Sequence, residues 1–364
     1  MGAYLLRRLA LLVPTLIGIV AINFAVVQLA PGGPVEQALA ELKGRGTSAT
    51  ARLSGPAADL GGGTGVAGGE GGAYRGAAGI DPRLIADLNR QFGFDKPLVQ
   101  RFGLMLRDYL SFDFGQSFFR GQSVLHLVLT RMPVSISLGL WSTLLVYLVS
   151  IPLGITKAVR DGTRFDVATS AAVLVGYAVP GFLFAILLAV LFAGGSFVQW
   201  FPLRGLSSPD SAGWPWPERL ADYAWHLVLP ITAMVAGGFA SLTILVKNSF
   251  LEEIRKQYVV TARAKGAGEG RVLYGHVFRN AILLVVAGFP SAFLGILFSS
   301  ALLVEIVFSL DGLGLLGFES AIRRDYPVMF GTLYIFTLFA LALQIVGDML
   351  YTVVDPRIDF EARR

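Results

Sequence analysis

The 364-residue chain contains no cysteine, which excludes disulfides, CxxC redox chemistry and Cys-ligated zinc. Charge is scarce as well. Asp, Glu, Lys and Arg make up 15% of the residues, against roughly 25% in soluble domains, so much of the surface must face something other than water. Three histidines, His126, His226 and His276, fall in separate segments, and no HExxH helix gathers them into a metal site. No G-x-S-x-G elbow occurs, and no apolar run offers a serine with a histidine partner, which argues against an intramembrane hydrolase. A Walker A sequence is missing too, so the chain does not itself cradle ATP phosphates. Any energy source belongs to a partner.

What the chain has in excess is apolar side chain, at 54% of residues with a mean hydropathy of +0.63. The runs Leu9–Ala30, Ser135–Thr156, Thr169–Ala193, Trp225–Val246, Ile282–Phe308 and Val328–Val354 can each cross a hydrocarbon core of about 30 Å. The first run follows Arg7 and Arg8 and is longer than the apolar region of a signal peptide, so it reads as an uncleaved span. The tract Ala236-Gly237-Gly238 suits close helix packing rather than ligand binding.

The net charge of +5 could suggest nucleic acid, but its distribution favours membrane topology. Lys157, Arg160 and Arg164 crowd one short loop. Lys247, Arg255, Lys256, Arg263, Lys265, Arg271 and Arg279 load the segment between the fourth and fifth runs, whereas the loop Gly194–Ala224 has only Arg204 and Arg219. By the positive-inside rule both termini and the segment 247–281 are cytoplasmic.

These runs divide the chain. Residues 1–30 hold the N-terminal end and first span, 31–132 an external loop, 133–354 a five-helix core, and 355–364 a cytoplasmic tail. Within the loop, residues 44–79 are Gly-rich and cannot bury enough apolar surface to order themselves. Residues 81–131 instead carry helical patterns through Leu84, Ile85, Leu88 and Phe92, then Phe102, Met105, Leu106 and Tyr109. A further amphipathic stretch, Val124–Leu129, completes a small, mostly helical insert.

Phe197, Trp200, Phe201, Trp214 and Trp216 in the loop 194–224 read first as an interfacial aromatic belt, with a substrate-gating plug as the alternative. The segment Leu310–Pro327 predicts a short amphipathic helix near Leu315–Arg323 at the outer mouth. Ionisable residues within spans are few. Glu305 lies near the outer end of the fifth run and Asp348 in the inner part of the sixth. Intramembrane carboxylates are candidates for a gate or path because burying them unpaired is expensive, though both sit close enough to a span end to find a partner.

The segment 247–281 is longer than a tether needs, since most connections run about 4–6 residues. Ser249-x-x-Glu252 has the form of a capping box and predicts a helix starting at about Phe250. Gly266 follows Arg263 and Lys265 as a residue able to take positive φ, and a second helix is predicted from about Arg271.

The order Y-x-x-T-A-R-A-K-G, a spacer, then H-V-x-R-N-A resembles the coupling segment of binding-protein-dependent ABC importer permeases, in the variant of the oligopeptide and dipeptide class. The segment ending IRRDYP resembles the outer stretch near the end of the same permeases, and the similarity reaches both chain ends through MGAYLLRRL and VDPRIDFE. The resemblance implies an all-α integral membrane protein of the type I ABC importer permease fold, with six transmembrane helices and a mostly helical periplasmic insert after the first. It implies a bacterial inner-membrane location, a second, similar permease, a cytoplasmic ATPase holding ATP and Mg, and a periplasmic peptide-binding protein. The chain itself would bind no cofactor. Residues carried over to ATPase coupling are Tyr258, Thr261, Ala262, Arg263, Ala264, Lys265, Gly266 and Glu269, with His276, Arg279 and Asn280 beyond the spacer. Gate or path candidates are Glu305, Asp311, Arg324, Asp325, Tyr326 and Asp348.

The implied cargo is oligopeptides and peptide-like compounds such as microcin C. A dipeptide or nickel-complex permease is the alternative within the class, and a secondary transporter the alternative outside it. A carrier would more often show a charge chain near the midplane.

The charge asymmetry makes a topology prediction in this cysteine-free background. Single Cys probes at Ser111 and Ser208 should react with an impermeant thiol reagent in sealed cells, and probes at Ala267 and Ala362 should not. Labelling at Ala267 from outside would reverse the orientation.

Overall fold

The computed structural model describes residues 2–29, 96–194, 197–295 and 301–354. The Gly-rich tract at 44–79, the pattern from Asp81 to Phe92 and the tail at 355–364 lie outside those residues. Regular structure among the described residues is helical, apart from an isolated antiparallel bridge between Gln116 and Ser123. In chain order the α-helices are α1 (Gly2–Leu29), α2 (Leu98–Leu110), α3 (Val124–Val159), α4 (Arg164–Ala178) and α5 (Gly181–Phe192). Then come α6 (Trp216–Ile254), α7 (Gln257–Ala264), α8 (Phe278–Gly295), α9 (Ala301–Val307), α10 (Leu313–Arg323) and α11 (Tyr326–Val354). A π-helical segment, Arg271–Val277, leads into α8.

Among the described residues, five helices are long and apolar enough to cross a membrane, or six if the bent pair α4 and α5 forms one span. That bend lies within Thr169–Ala193, expected as one span. The two helices meet at 89°. Pro180 supplies no N–H to continue the ladder, and it drives Val179 into the extended region at φ −85°, ψ 120°.

Two further boundaries differ from the sequence reading. Val124–Leu129 is not a separate amphipathic piece; it opens α3, which runs on for 36 residues through Pro133 and Pro152. The expected division at 132/133 therefore falls inside a helix. Prolines are tolerated there because neighbouring helices and hydroxyl side chains can satisfy the backbone groups they free. Likewise no helix starts at Phe250. α6 passes through the Ser249-x-x-Glu252 pattern to Ile254 because Val246 and Phe250 are fully buried and hold it in place. Packing overrides a local cap signal. At 39 residues α6 is roughly 58 Å long at 1.5 Å per residue, so it projects well past the bilayer core.

Contacts divide the chain into two compact units. The larger comprises Met1–Ala10, Val128–Phe318 and Phe336–Arg364. Its core gathers Val146 and Ile155 of α3, Met234, Val246 and Phe250 of α6, and Val259, Val272 and Val277 around the polar segment. The small-residue expectation holds at Gly238, where an added Cβ would lie 2.9 Å from Val146 Cγ2, though Gly237 faces open space.

The smaller unit comprises Leu11–Leu127 and Glu319–Ile335. Tyr109 of α2, Phe114 and Tyr334 of α11 form a ring cluster with centroids 5.1–5.6 Å apart. Gly331 gives that cluster its room, because a Cβ there would meet Val124 Cγ1 at 2.7 Å. Phe24 of α1 packs edge-on against Phe102 of α2 at 5.5 Å. The described part of the expected insert is thus helical and packed.

Gly154 is the tightest testable approach of α3 to α6. A Cβ there would sit 2.6 Å from Val246 Cβ and 2.9 Å from the Thr243 carbonyl oxygen, which cannot swing away. Gly154→Ala should cost about 1–3 kcal/mol by overpacking and lower the melting temperature of the purified protein. An unchanged melting curve would show that the helices part freely here.

Candidate coupling site and buried carboxylates

After Ile254 the chain breaks sharply. Arg255 stays near helical at φ −85°, ψ −5°, and Lys256 turns extended at φ −74°, ψ 149° before α7 begins at Gln257. α7 has eight residues, too few for a helix to persist alone in water, so tertiary contacts must hold it. Val259 provides one, being fully buried in the core, and Tyr258 and Ala262 pack partly against that core. The Tyr258 hydroxyl donates to Glu253 Oε2 at 2.8 Å, and burial pushes this phenol above its ordinary pKa. Lys256 is also ion-paired to Glu253.

The far end is closed with a full Schellman arrangement. Gly266 N–H donates to the Arg263 carbonyl at 2.9 Å, Ala267 N–H donates to the Ala262 carbonyl at 3.2 Å, and Gly266 takes φ +80°. Arg263 then grips Glu269 in a two-point pair, Nε to Oε1 and Nη2 to Oε2, both at 2.9 Å. This fixes the turn between α7 and the π-helical segment. Thr261, Arg263, Ala264, Lys265, Gly266 and Glu269 are all exposed, as are His276, Arg279 and Asn280. Val260 is half exposed beside them. The structure therefore assembles the sequence-named residues on one polar segment but sorts them. Tyr258 and Ala262 are partly buried against the core, whereas the others are exposed.

The gate or path candidates fall into separate local arrangements. Glu305 of α9 is fully buried and lies against the N-terminus of α10. It accepts from Leu315 N–H at 2.7 Å and from Ser135 Oγ at 2.9 Å, while Ser135 Oγ accepts from Leu313 N–H at 2.7 Å. An anion at a helix start is favourably placed, and Gly312 must lack a side chain because a Cβ would land on the carboxylate. Asp311 pairs with Arg131 Nε at 2.7 Å. Asp348 pairs with Arg8 Nη2 at 2.8 Å, tying the two chain ends of the larger unit together. Each carboxylate thus has a structural partner.

In the smaller unit Arg324 adopts φ +56° between α10 and α11, and Tyr326 stacks on Phe330 at 5.8 Å. Asp325 is the N-cap of α11. Its carboxylate accepts from Ser117 Oγ, from Phe118 N–H at 3.3 Å and from Val328 N–H. Arg120 pairs with Glu319 alongside.

Among the described residues no group of three or more His, Asp or Glu could hold a metal ion. His226 is buried, its Nδ1 lying 2.8 Å from the Asp222 carbonyl oxygen.

Residues 150–360 match the family model of the binding-protein-dependent transport system inner membrane component. The chain belongs to that family. It is 58% identical over its whole length to the peptidoglycan transport system permease protein YejB of Agrobacterium fabrum, with 100% of both chains covered. It is 59% identical to the inner membrane ABC transporter permease protein YejB of Escherichia coli O157:H7, again with both chains fully covered. The oligopeptide transport system permease protein AppB of Bacillus subtilis is 29% identical, over 99% of this chain and 100% of that one.

For a permease of this family, the sequence reading missed one cluster where α3, α4 and α6 meet: Lys157, Asp161, Asp166 and Lys247. The lysines entered only as topology charges. Partners as far apart as Asp166 and Lys247 leave no local spacing signal to find.

Asp325 carries a pH prediction. Burial raises its carboxyl pKa above the ordinary 3.8, against the lowering effect of its hydrogen bonds. The folded state therefore holds this proton more tightly than the unfolded state. The stabilising contribution is present below about pH 4 and is lost as pH rises through the folded value. Asp325→Asn should gain in melting temperature relative to the parent as pH is raised from 4 to 8. A pH-independent difference would remove Asp325 from the titration.

Proposed function

We propose that this permease imports oligopeptides and peptide-like compounds by ATP-driven transport across a bacterial inner membrane, with both termini and the segment 247–281 cytoplasmic. It forms the translocation path with a second permease of the YejE kind. An ATPase of the YejF kind binds ATP and Mg and carries out hydrolysis, and a periplasmic binding protein of the YejA kind delivers cargo. This chain supplies no catalytic residue and binds no cofactor.

The observation that carries the reading is the geometry of α7. Its inner face is locked by Val259, its far end by the Schellman turn at Gly266, and its outer face is left open. Such a short helix is rigid enough to transmit a push and exposed enough to receive one. ATP binding draws the ATPase halves together and moves the two permeases' coupling segments with them, opening the path to the binding protein. Hydrolysis resets the pair. Cargo passes between permeases, so specificity rests on surfaces that this chain shares with its partner. The name of the Agrobacterium relative favours peptides derived from peptidoglycan as one peptide-like cargo.

Ala264→Arg tests the contact. Ala264 is exposed, and a cation in the last turn suits the helix dipole, so α7 should still form. Membrane insertion should stay within twofold of the parent, while ATPase recovered with the complex should fall at least tenfold, and peptide uptake with it. Normal ATPase recovery would leave α7 an ordinary cytoplasmic helix. Competition between oligopeptides and peptidoglycan-derived peptides for uptake then separates the two cargo readings.

A further inference from the structure

The four-residue turn between α3 and α4 meets the end of α6 through a network of charges. Lys157, in the last turn of α3, is 2% exposed. Its ammonium donates to the Asp166 carbonyl at 2.8 Å, to Thr169 Oγ1 at 3.1 Å and to Ser170 Oγ, and it lies 2.9 Å from Asp166 Oδ1. All three of its donors are thus used within α4. Asp166, in the first turn of α4, is buried as well. Its other oxygen, Oδ2, accepts from Lys247 of α6 at 2.6 Å and from Gly162 N–H at 3.2 Å. Lys247 also reaches Asp161 Oδ1 in the turn at 2.8 Å, and Arg255, at the break before α7, lies 3.9 Å from Asp161 Oδ2.

Lys157 and Asp166 neutralise one another within the α3–α4 hairpin, so burial of that pair does not require α6. Lys247 adds something else. It bridges two carboxylates of the hairpin to the helix that ends in the α7 hinge. Pulling α6 away would leave Asp166 with one lysine in a buried setting, which opposes separation.

We propose that Lys247, with Asp161 and Asp166, is a positioning clamp that makes the α3–α4 hairpin move as one body with the end of α6, so that displacement of α7 reaches the broken span α4–α5. The proposal rests on the reading of α7 as the ATPase contact. Its function is transmission, not attachment: the clamp residues need not touch the ATPase at all. The consequence is a specific kind of defect. Breaking the clamp should leave the ATPase bound and hydrolysing while transport per ATP falls.

The test uses the full importer complex in proteoliposomes, measuring peptide uptake and ATP hydrolysis together. Lys247→Met should retain ATPase recovery within twofold and lower uptake per ATP at least fivefold, and Lys247→Arg should restore most of it. Asp161→Cys with Arg255→Cys supplies a second variant that leaves the buried Lys157–Asp166 pair untouched. It removes the Asp161 half of the clamp while Lys247 keeps Asp166. When reduced, its uptake per ATP should therefore fall, by less than in Lys247→Met. It should recover on bridging the thiols with a short bis-maleimide, because the covalent link ties the turn to the end of α6. An unchanged uptake-to-hydrolysis ratio in Lys247→Met overturns the clamp. So does a bridged double variant that stays uncoupled, or one whose turnover the bridge abolishes. Loss of ATPase recovery in Lys247→Met would likewise overturn it, by making the cluster part of the attachment. Failure of the α7 reading is separately visible, since Ala264→Arg then keeps its ATPase.

Discussion

A carboxylate held between two lysines governs the polar end of the larger unit. Asp166 sits 2.9 Å from Lys157 and 2.6 Å from Lys247, and all three groups are largely removed from solvent. Removing one lysine would leave Asp166 with one of its two counter-charges in a buried setting, which is unfavourable. The end of α3, the start of α4 and the last turns of α6 therefore converge on one point. The break at Arg255–Lys256 lies beside this point, with Arg255 3.9 Å from Asp161 Oδ2.

The other carboxylates at or near the spans solve the same problem by different means. Glu305 uses backbone N–H groups at the start of α10 and a serine hydroxyl instead of a counter-charge. Asp325 uses a helix cap and the turn that follows Phe114. Asp348 finds Arg8 at the opposite chain terminus. The shared logic is that an apolar environment leaves no water to satisfy an oxygen, so each carboxylate organises the backbone or side chains nearest it. Glu305 and Asp348, path candidates because they are charged within spans, each have a partner in the folded chain.

The segment from Gln257 to Val277 shows where local sequence speaks and where it is overruled. Gly266 was legible: after a basic last turn, a glycine marks a left-handed stop, and it adopts φ +80°. The helix near Leu315–Arg323 was equally legible from its amphipathic spacing, and it runs from Leu313 to Arg323. The capping pattern at Ser249 was misleading, because a four-residue motif has no information about Phe250, whose ring is buried against distant helices. Pro180 and Pro133 make the same point in opposite directions. One ends a helix and the other is carried through, although the ring chemistry is identical.

The sequence by itself determined that the chain lives in a membrane, that it is helical, and which family it resembles. Those properties rest on composition, hydrophobic run length and contiguous motifs, all of which survive without knowing the fold. Backbone hydrogen bonding in hydrocarbon then allows helices for such runs. Only the tertiary structure decided which charges are paired, that α4 and α5 are bent by 89°, and that Ala262 faces inward while Ala264 faces out. The physical reason is range. Pairing across 81 residues, as between Asp166 and Lys247, depends on helices meeting at angstrom distances. No local pattern encodes where two distant helices will touch.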